Sequence, residues 1–167
     1  MVEEVLDLQS VDDSLFEQTW EFESDDAQWM LDYWQTTRSD RPRPAWSDID
    51  LLKVYDHARA MTVKDAVNGG EDFLVRFWGT ELAEFLEYDA TGKLLSEYYP
   101  KSDVASILDT HRLALFGDIP VRRCGNSRYP ERGMAKFEMI HLPLDNDAGE
   151  PSHVITLTTF KWAKNKS

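Results

Sequence analysis

The run from Asp72 to Asp103, DFLVRFWGTELAEFLEYDATGKLLSEYYPKSD, constrains this chain more than any other. Phe73 to Trp78 alternates as a strand does and is interrupted at Gly79. Spacing then turns helical through Leu82, Phe85 and Leu86. Thr91-Gly92 marks a turn, and Pro100 and Asp103 stand just ahead of a longer helical pattern. Strand, break and short helices in that order leave few compact architectures open.

The flanking segments extend the pattern. Upstream, Arg59–Val67 reads as a strand, and Asn68-Gly69-Gly70 as the turn of a hairpin. Downstream, short helical pieces are expected near Glu81–Glu87 and Lys93–Tyr98. The best helix of this half is Asp103–Phe116, with Val104, Ile107, Leu108, His111 and Leu115 on one face and Gly117 as its stop. Three strands follow, over about Ile119–Cys124, Ala135–Leu144 and His153–Trp162, the last two joined by a turn at residues 145–149. The order predicts an α+β fold, a five-stranded antiparallel sheet with helices on one face. A pocket between helices and sheet is the natural ligand site of such a layer fold.

Ahead of this lies a segment of different character. Residues 1–37 carry eleven acids and no Lys or Arg, so a net charge of −13 leaves only −2 for the other 130 residues. Such a chain lacks the basic surface that phosphate backbones require, which argues against nucleic acid as a partner. Its acidic arm reads first as a solubilising segment and second as a docking segment for a basic surface. Residues 1–12 look frayed. Helical spacing begins at Ser14 with Leu15, Phe16, Thr19 and Trp20, and resumes with Trp29, Met30, Tyr33 and Trp34. Ser24 with Asp25 and Asp26 reads as a helix start, predicting a helix to about Thr37 before Pro42 and Pro44 break it. Ser47 or Asp48 is the expected cap of a short helix through Leu52. The expected organisation is an acidic arm and N-terminal helical extension (1–52), a sheet domain (53–163) and a tail (164–167). No apolar run reaches the ~20 residues that cross a bilayer, and the single Cys and acidic start fit a cytoplasmic protein.

Residues 73–160 resemble a PAS domain. Gly79-Thr80 closes the second strand, Tyr88-Asp89 and Thr91-Gly92-Lys93 stand where such domains often read "Gy…tGk", and Pro100 with Asp103 resembles the approach to their long helix. HLPLDNDAGEPSHVITLTTF resembles the closing hairpin. Tyr33-Trp34, Arg38, Arg43-Pro44 and Ser47-Asp48-Ile49-Asp50 extend the likeness to about residues 27–160 and to the small single-domain PAS-like proteins of alphaproteobacteria. The resemblance implies a sensory or regulatory domain that binds a small ligand or a signalling partner, self-association as a dimer included, without chemistry. The flavin-reactive cysteine segment of light sensors is missing, since Cys124 sits on a predicted strand beside Arg122 and Arg123.

Phe73, Val75, Phe77, Phe85, Leu108, His111, Leu115, Phe137, Met139, Ile155 and Leu157 are the residues expected to line a ligand pocket. Trp29, Tyr33 and Trp34, with Phe160 and Trp162, are the expected interface between the N-terminal helix and a sheet or a second subunit. Apolar residues on both parities of the last strand support covering both faces of the sheet. His111 stands where PAS haem sensors carry their iron ligand, but a lone His between Ile107 and Leu115 reads first as a packing residue. No metal site or cofactor is assigned: His57, His141 and His153 lack ligand spacing. Arg112, Arg122, Arg123, Arg128 and Arg132 read as solvated strand and helix residues, or as receivers of an acidic ligand or of the acidic arm. No phosphate loop, HExxH or GxSxG occurs, so an acid–base enzyme is the least favoured reading. The alternative to the ligand-binding sensory domain is an interaction or dimerisation module with a filled core and no ligand.

Overall fold

A computed structural model describes residues 5–10, 24–99, 101–117, 119–129 and 131–163. Strands β2 (Met61–Val67), β3 (Asp72–Trp78), β4 (Val121–Tyr129), β5 (Gly133–Asp145) and β6 (Pro151–Trp162) form the expected antiparallel five-stranded sheet, in the order β4-β5-β6-β2-β3. The two hairpin turns expected from the sequence lie where the glycines put them. Asn68, Gly69 and Gly70 all have positive φ between β2 and β3. Between β5 and β6, Asn146 Oδ1 accepts from the backbone N–H groups of Ala148 and Glu150, and Gly149 takes φ 78°.

The helices are α1 (Asp25–Arg38), α2 (Leu51–Val54), α3 (Thr80–Leu86), α4 (Leu95–Tyr98) and α5 (Lys101–Phe116). Helix α5 ends just before Gly117, as expected, but starts two residues before Asp103. Ser24 occupies the N-cap of α1, although its hydroxyl makes no capping bond, and Asp50 rather than Ser47 or Asp48 caps α2. Strand β4 runs on past Cys124 to Tyr129.

The N-terminus departs from expectation. Residues 5–10 are not frayed but form a sixth strand, β1 (Val5–Ser10), antiparallel to β4 with Leu8 opposite Arg123. The outer edge of β4 would otherwise present unpaired backbone groups, which β1 satisfies. Leu15, Phe16, Thr19 and Trp20, Pro100 and the tail 164–167 lie outside the described residues.

Both faces of the sheet are covered. On one, Ala27, Met30, Leu31 and Trp34 of α1 pack on Met61, Val63, Ile140, Leu142, Leu144, Ile155 and Leu157, and Trp34 Nε1–H donates to the carbonyl of Pro143 at 2.8 Å. Trp29 and Tyr33, stacked on each other at 5.1 Å, border the same core. On the other face, α3 to α5 enclose Phe73, Val75, Trp78, Leu82, Leu95, Ile107, Leu108 and Leu115.

The break at Gly79 has a steric cause. Its backbone lies against the chain ahead of β2, so a Cβ there would meet the carbonyl oxygens of Arg59 at 2.2 Å and Ala58 at 2.6 Å. Backbone oxygens cannot swing aside as a side chain can. Gly79→Ala is therefore expected to destabilise the fold by about 1–3 kcal/mol, lowering the thermal midpoint by several degrees. An unchanged melt would show that this approach is looser than the structure gives.

Candidate functional site

Between α5 and the sheet lies a cavity of about 230 Å³. Strand register explains its floor. Trp78, Thr62, Thr156 and His141 are successive cross-strand neighbours on β3, β2, β6 and β5. A second row joins Thr158, Met139 and Arg123, and a third pairs Phe160 with Phe137. All of these line the cavity, as does Lys64, two residues on from Thr62 and so on the same face. The roof is Leu82 and Leu86 of α3, Tyr98 and Tyr99 at the end of α4, and Asp103, Ile107 and His111 of α5.

The polar groups of this cavity are its unusual part. Lys64 is only 4% exposed, and its Nζ makes one hydrogen bond, 2.9 Å to Thr156 Oγ1. It has no carboxylate partner among the described residues. Thr156 Oγ1 also lies 2.8 Å from His141 Nδ1. An ammonium can only donate, so Thr156 Oγ1 accepts from Lys64 and its own O–H is free to donate to His141 Nδ1, an arrangement in which His141 carries its proton on Nε2. His111 is the converse. Its Nδ1 faces the carbonyl of Ile107 at 2.8 Å and must donate, which leaves Nε2 an acceptor. The two rings lie 4.8 Å apart, and Nε2 of each is buried without a partner among the described residues, as are Thr62 Oγ1 and Trp78 Nε1. Buried polar atoms left unpaired are uncommon, and four of them belong to residues that line this one cavity.

The electrostatics agree. Burial, with no opposing acid, pulls the Lys64 ammonium down to about 7. Burial first, then Lys64 and Arg123, hold His111 well below the usual imidazole range against the opposing pull of the Ile107 carbonyl. Burial, then His111, Lys64 and Arg123, do the same to His141. Both histidines are neutral at pH 7. Tyr98 is pushed well above the ordinary phenol value by burial and by its tyrosine neighbours.

Of the residues expected to line a pocket, His111, Phe137 and Met139 do so. Phe73, Val75, Leu108 and Leu115 are core beside it. Ile155 and Leu157 point to the opposite face, into the core under α1, and their neighbours Thr156 and Thr158 take the cavity side. Phe77 is 40% exposed because β3 bulges: Val63 pairs with Phe77 but Lys64 with Val75, so Arg76 is extra and Trp78 turns inward instead. Phe85 stacks on Phe160 at 4.2 Å and on Trp162 at 4.7 Å. The expected interface thus divides: Trp29, Tyr33 and Trp34 meet one face of the sheet, while Phe160 and Trp162 belong to the other.

Lys64, Arg123 and His141 escaped notice as one site. Lys64 at the same parity as Thr62, on the face of β2 opposite Met61 and Val63, was a legible signal; the convergence of three other strands on it was not. The arginine cluster disperses. Arg112 donates to the carbonyls of Gly70 and Glu71, Arg122 pairs with Glu138 at 2.6 Å, Arg123 lines the cavity, and Arg132 lies over the rings of Phe85, Tyr129 and Trp162. Among the described residues no group of His, Cys, Asp and Glu is placed to hold a metal, and no helix is long and apolar enough to cross a membrane.

A family model described as a PAS domain matches residues 23–159. No curated protein matches the sequence. Among solved structures, a single-substitution variant of the PAS-B domain of Drosophila melanogaster Cycle with bound glycerol has 15% identity and a TM-score of 0.43, over 60% of this chain and 99% of that one. An RNA-binding light-oxygen-voltage receptor has 15% identity and a TM-score of 0.44, over 65% of this chain but 31% of that one. A sensory box histidine kinase/response regulator from Burkholderia thailandensis has 14% identity and a TM-score of 0.39, over 65% and 81%.

Proposed function

The chain belongs to the PAS domain family, and from that membership we propose that it is a sensory or regulatory domain that holds a small molecule between α5 and the sheet without transforming it. One observation carries the reading: the space between helix and sheet is not filled by side chains but is a cavity lined by unpartnered polar atoms. A filled core would have suited the alternative, a module that works only by its surface. Aromatic walls from Trp78, Tyr98, Phe137 and Phe160 exclude water, while the threonine, lysine and histidine floor orients the ligand.

Native mass spectrometry of the purified protein tests this directly, the expected result being a co-purifying small molecule or a specific adduct on titration. Met139→Trp supplies the matching variant. Met139 lines the cavity, so the indole should occupy ligand space, abolish binding and leave the melt of the free protein within a few degrees. Leu108→Trp is the control: that side chain is core outside the cavity, and overpacking it should cost about 1–3 kcal/mol. Two variants destabilised alike, with no small molecule bound to the wild type, would return the chain to the surface-module reading.

A further inference from the structure

A buried lysine without a carboxylate needs a reason. Lys64 is surrounded by Thr156 and, across the cavity, by Arg123, His111 and His141, none of which can neutralise it. Among the described residues the one carboxylate lining the cavity is Asp103, and Lys64, whose bond is to Thr156, makes no ion pair with it. An ammonium buried in this way is costly unless an anion joins it, and natural proteins rarely keep one without a use. His141 adds a second donor, since accepting at Nδ1 from the Thr156 hydroxyl puts its proton on Nε2, which has no acceptor among the described residues. The floor therefore has N–H donors to spare, the further protons of the Lys64 ammonium and His141 Nε2–H, in a space walled by the rings of Trp78, Tyr98, Phe137 and Phe160 and by Leu82, Leu86 and Ile107.

We propose that the cavity takes a small planar organic acid as its carboxylate, the charged end against Lys64 and His141 and the flat body against the rings of Trp78, Tyr98 and Phe160. This rests on the reading that the cavity is a ligand site and adds the chemical class. A monoanion fits better than a phosphate group: the floor supplies few donors, the walls are mostly apolar, and Asp103 would oppose a dianion. His111 offers an acceptor and so meets the uncharged part of the ligand or a hydroxyl on it.

Two matched pairs test the class, benzoate against benzamide and cinnamate against cinnamamide. In each pair the shape is held while the charge is removed. Calorimetric titration at pH 6.5 into the full chain should show each acid binding at least tenfold more tightly than its amide. Lys64→Met should erase that preference by weakening the acid and leaving the amide unchanged. A second arm needs no variant. Arg123, Asp103, His111 and His141 line the cavity with Lys64; the two histidines, held well below the usual imidazole range, are neutral from pH 6.5 to 9 while Lys64 passes through its value of about 7, so acid affinity should fall at least tenfold as pH rises while amide affinity holds. Amides equal to acids, or an acid preference untouched by both Lys64→Met and pH, overturns the proposal. If amides bind and Met139→Trp blocks them, the ligand site stands and only the acid class fails. If no probe binds and nothing co-purifies, both fail together.

Discussion

Replacing Arg43 with Met is expected to destabilise the domain by about 3–5 kcal/mol, the largest loss anticipated for any single substitution considered. Arg43 leaves α1 on the segment broken by Pro42 and Pro44 and turns inward, only 9% exposed. Its Nε donates to Asp145 Oδ1 at 2.7 Å, and its Nη1 donates to the carbonyls of Leu115 at 3.1 Å and Gly117 at 3.2 Å. Those carbonyls end α5, where a helix has no intrahelical donors left and where its dipole favours a cation. The backbone continues the contact: the Asp145 N–H donates to the carbonyl of Pro44 at 2.9 Å. One guanidinium thus ties the N-terminal extension, the end of β5 and the end of α5 together. Met would fill much of the space but leave the Asp145 carboxylate buried and the helix end unsatisfied. Adding Asp145→Asn removes the stranded charge and should regain part of the loss, so urea melts of both single variants and the double variant give a coupling well away from zero. Additive losses would mean that the two residues act separately, and a loss below about 1 kcal/mol would reduce the pair to surface value.

The second expectation is a pH dependence with a definite sign. Lys64 has a folded pKa of about 7 against an ordinary 10.5, so between those values the unfolded chain binds the extra proton. Stability must therefore rise with pH through that window, the burial penalty being complete below it and relieved above it. At ~1.4 kcal/mol per pH unit the whole window is worth on the order of 4–5 kcal/mol. Most of it should show between pH 7 and 9.5 as a rising thermal midpoint. On the acid side His111 and His141, both held below the usual imidazole value, make stability fall as pH drops below about 6.5. Lys64→Met separates the two contributions. It should flatten the profile above pH 7, raise stability at pH 7 and below, and keep the acid-side fall. A wild type whose melting point is level from pH 7 to 9.5 would mean that Lys64 keeps its proton in the fold, and a variant that retains the slope would assign it elsewhere.

Local chemistry wrote most of the architecture into the chain. Asn68-Gly69-Gly70 and Asn146 to Gly149 are turns because few other residues adopt those backbone angles or bond their own backbone there, and the strands between them follow. Spacing marked α1 and α5 because a helix shows its apolar face every three to four residues whatever it packs against. These are properties of short segments, and short segments carry them.

The face on which each strand residue would lie was another matter. In β6, Val154 to Thr158 are all buried, so alternation marks no inside and outside: Ile155 and Leu157 serve the core under α1, Thr156 and Thr158 the cavity. In β3 the extra residue at Arg76 reverses the parity and exchanges Phe77 for Trp78, a consequence of pairing with β2 that β3 alone does not announce. The strand β1 exists because β4 has an edge to satisfy. Lys64, His111, His141 and Arg123 come from four elements far apart in sequence and acquire their shared character only by converging on one low-dielectric space. The chain by itself determined a PAS-type sheet, its turns and its helices, because those depend on neighbours in sequence. Which residues face the cavity, and that a lysine is buried there with no carboxylate partner among the described residues, only the tertiary structure decided, because burial and charge compensation depend on neighbours in space.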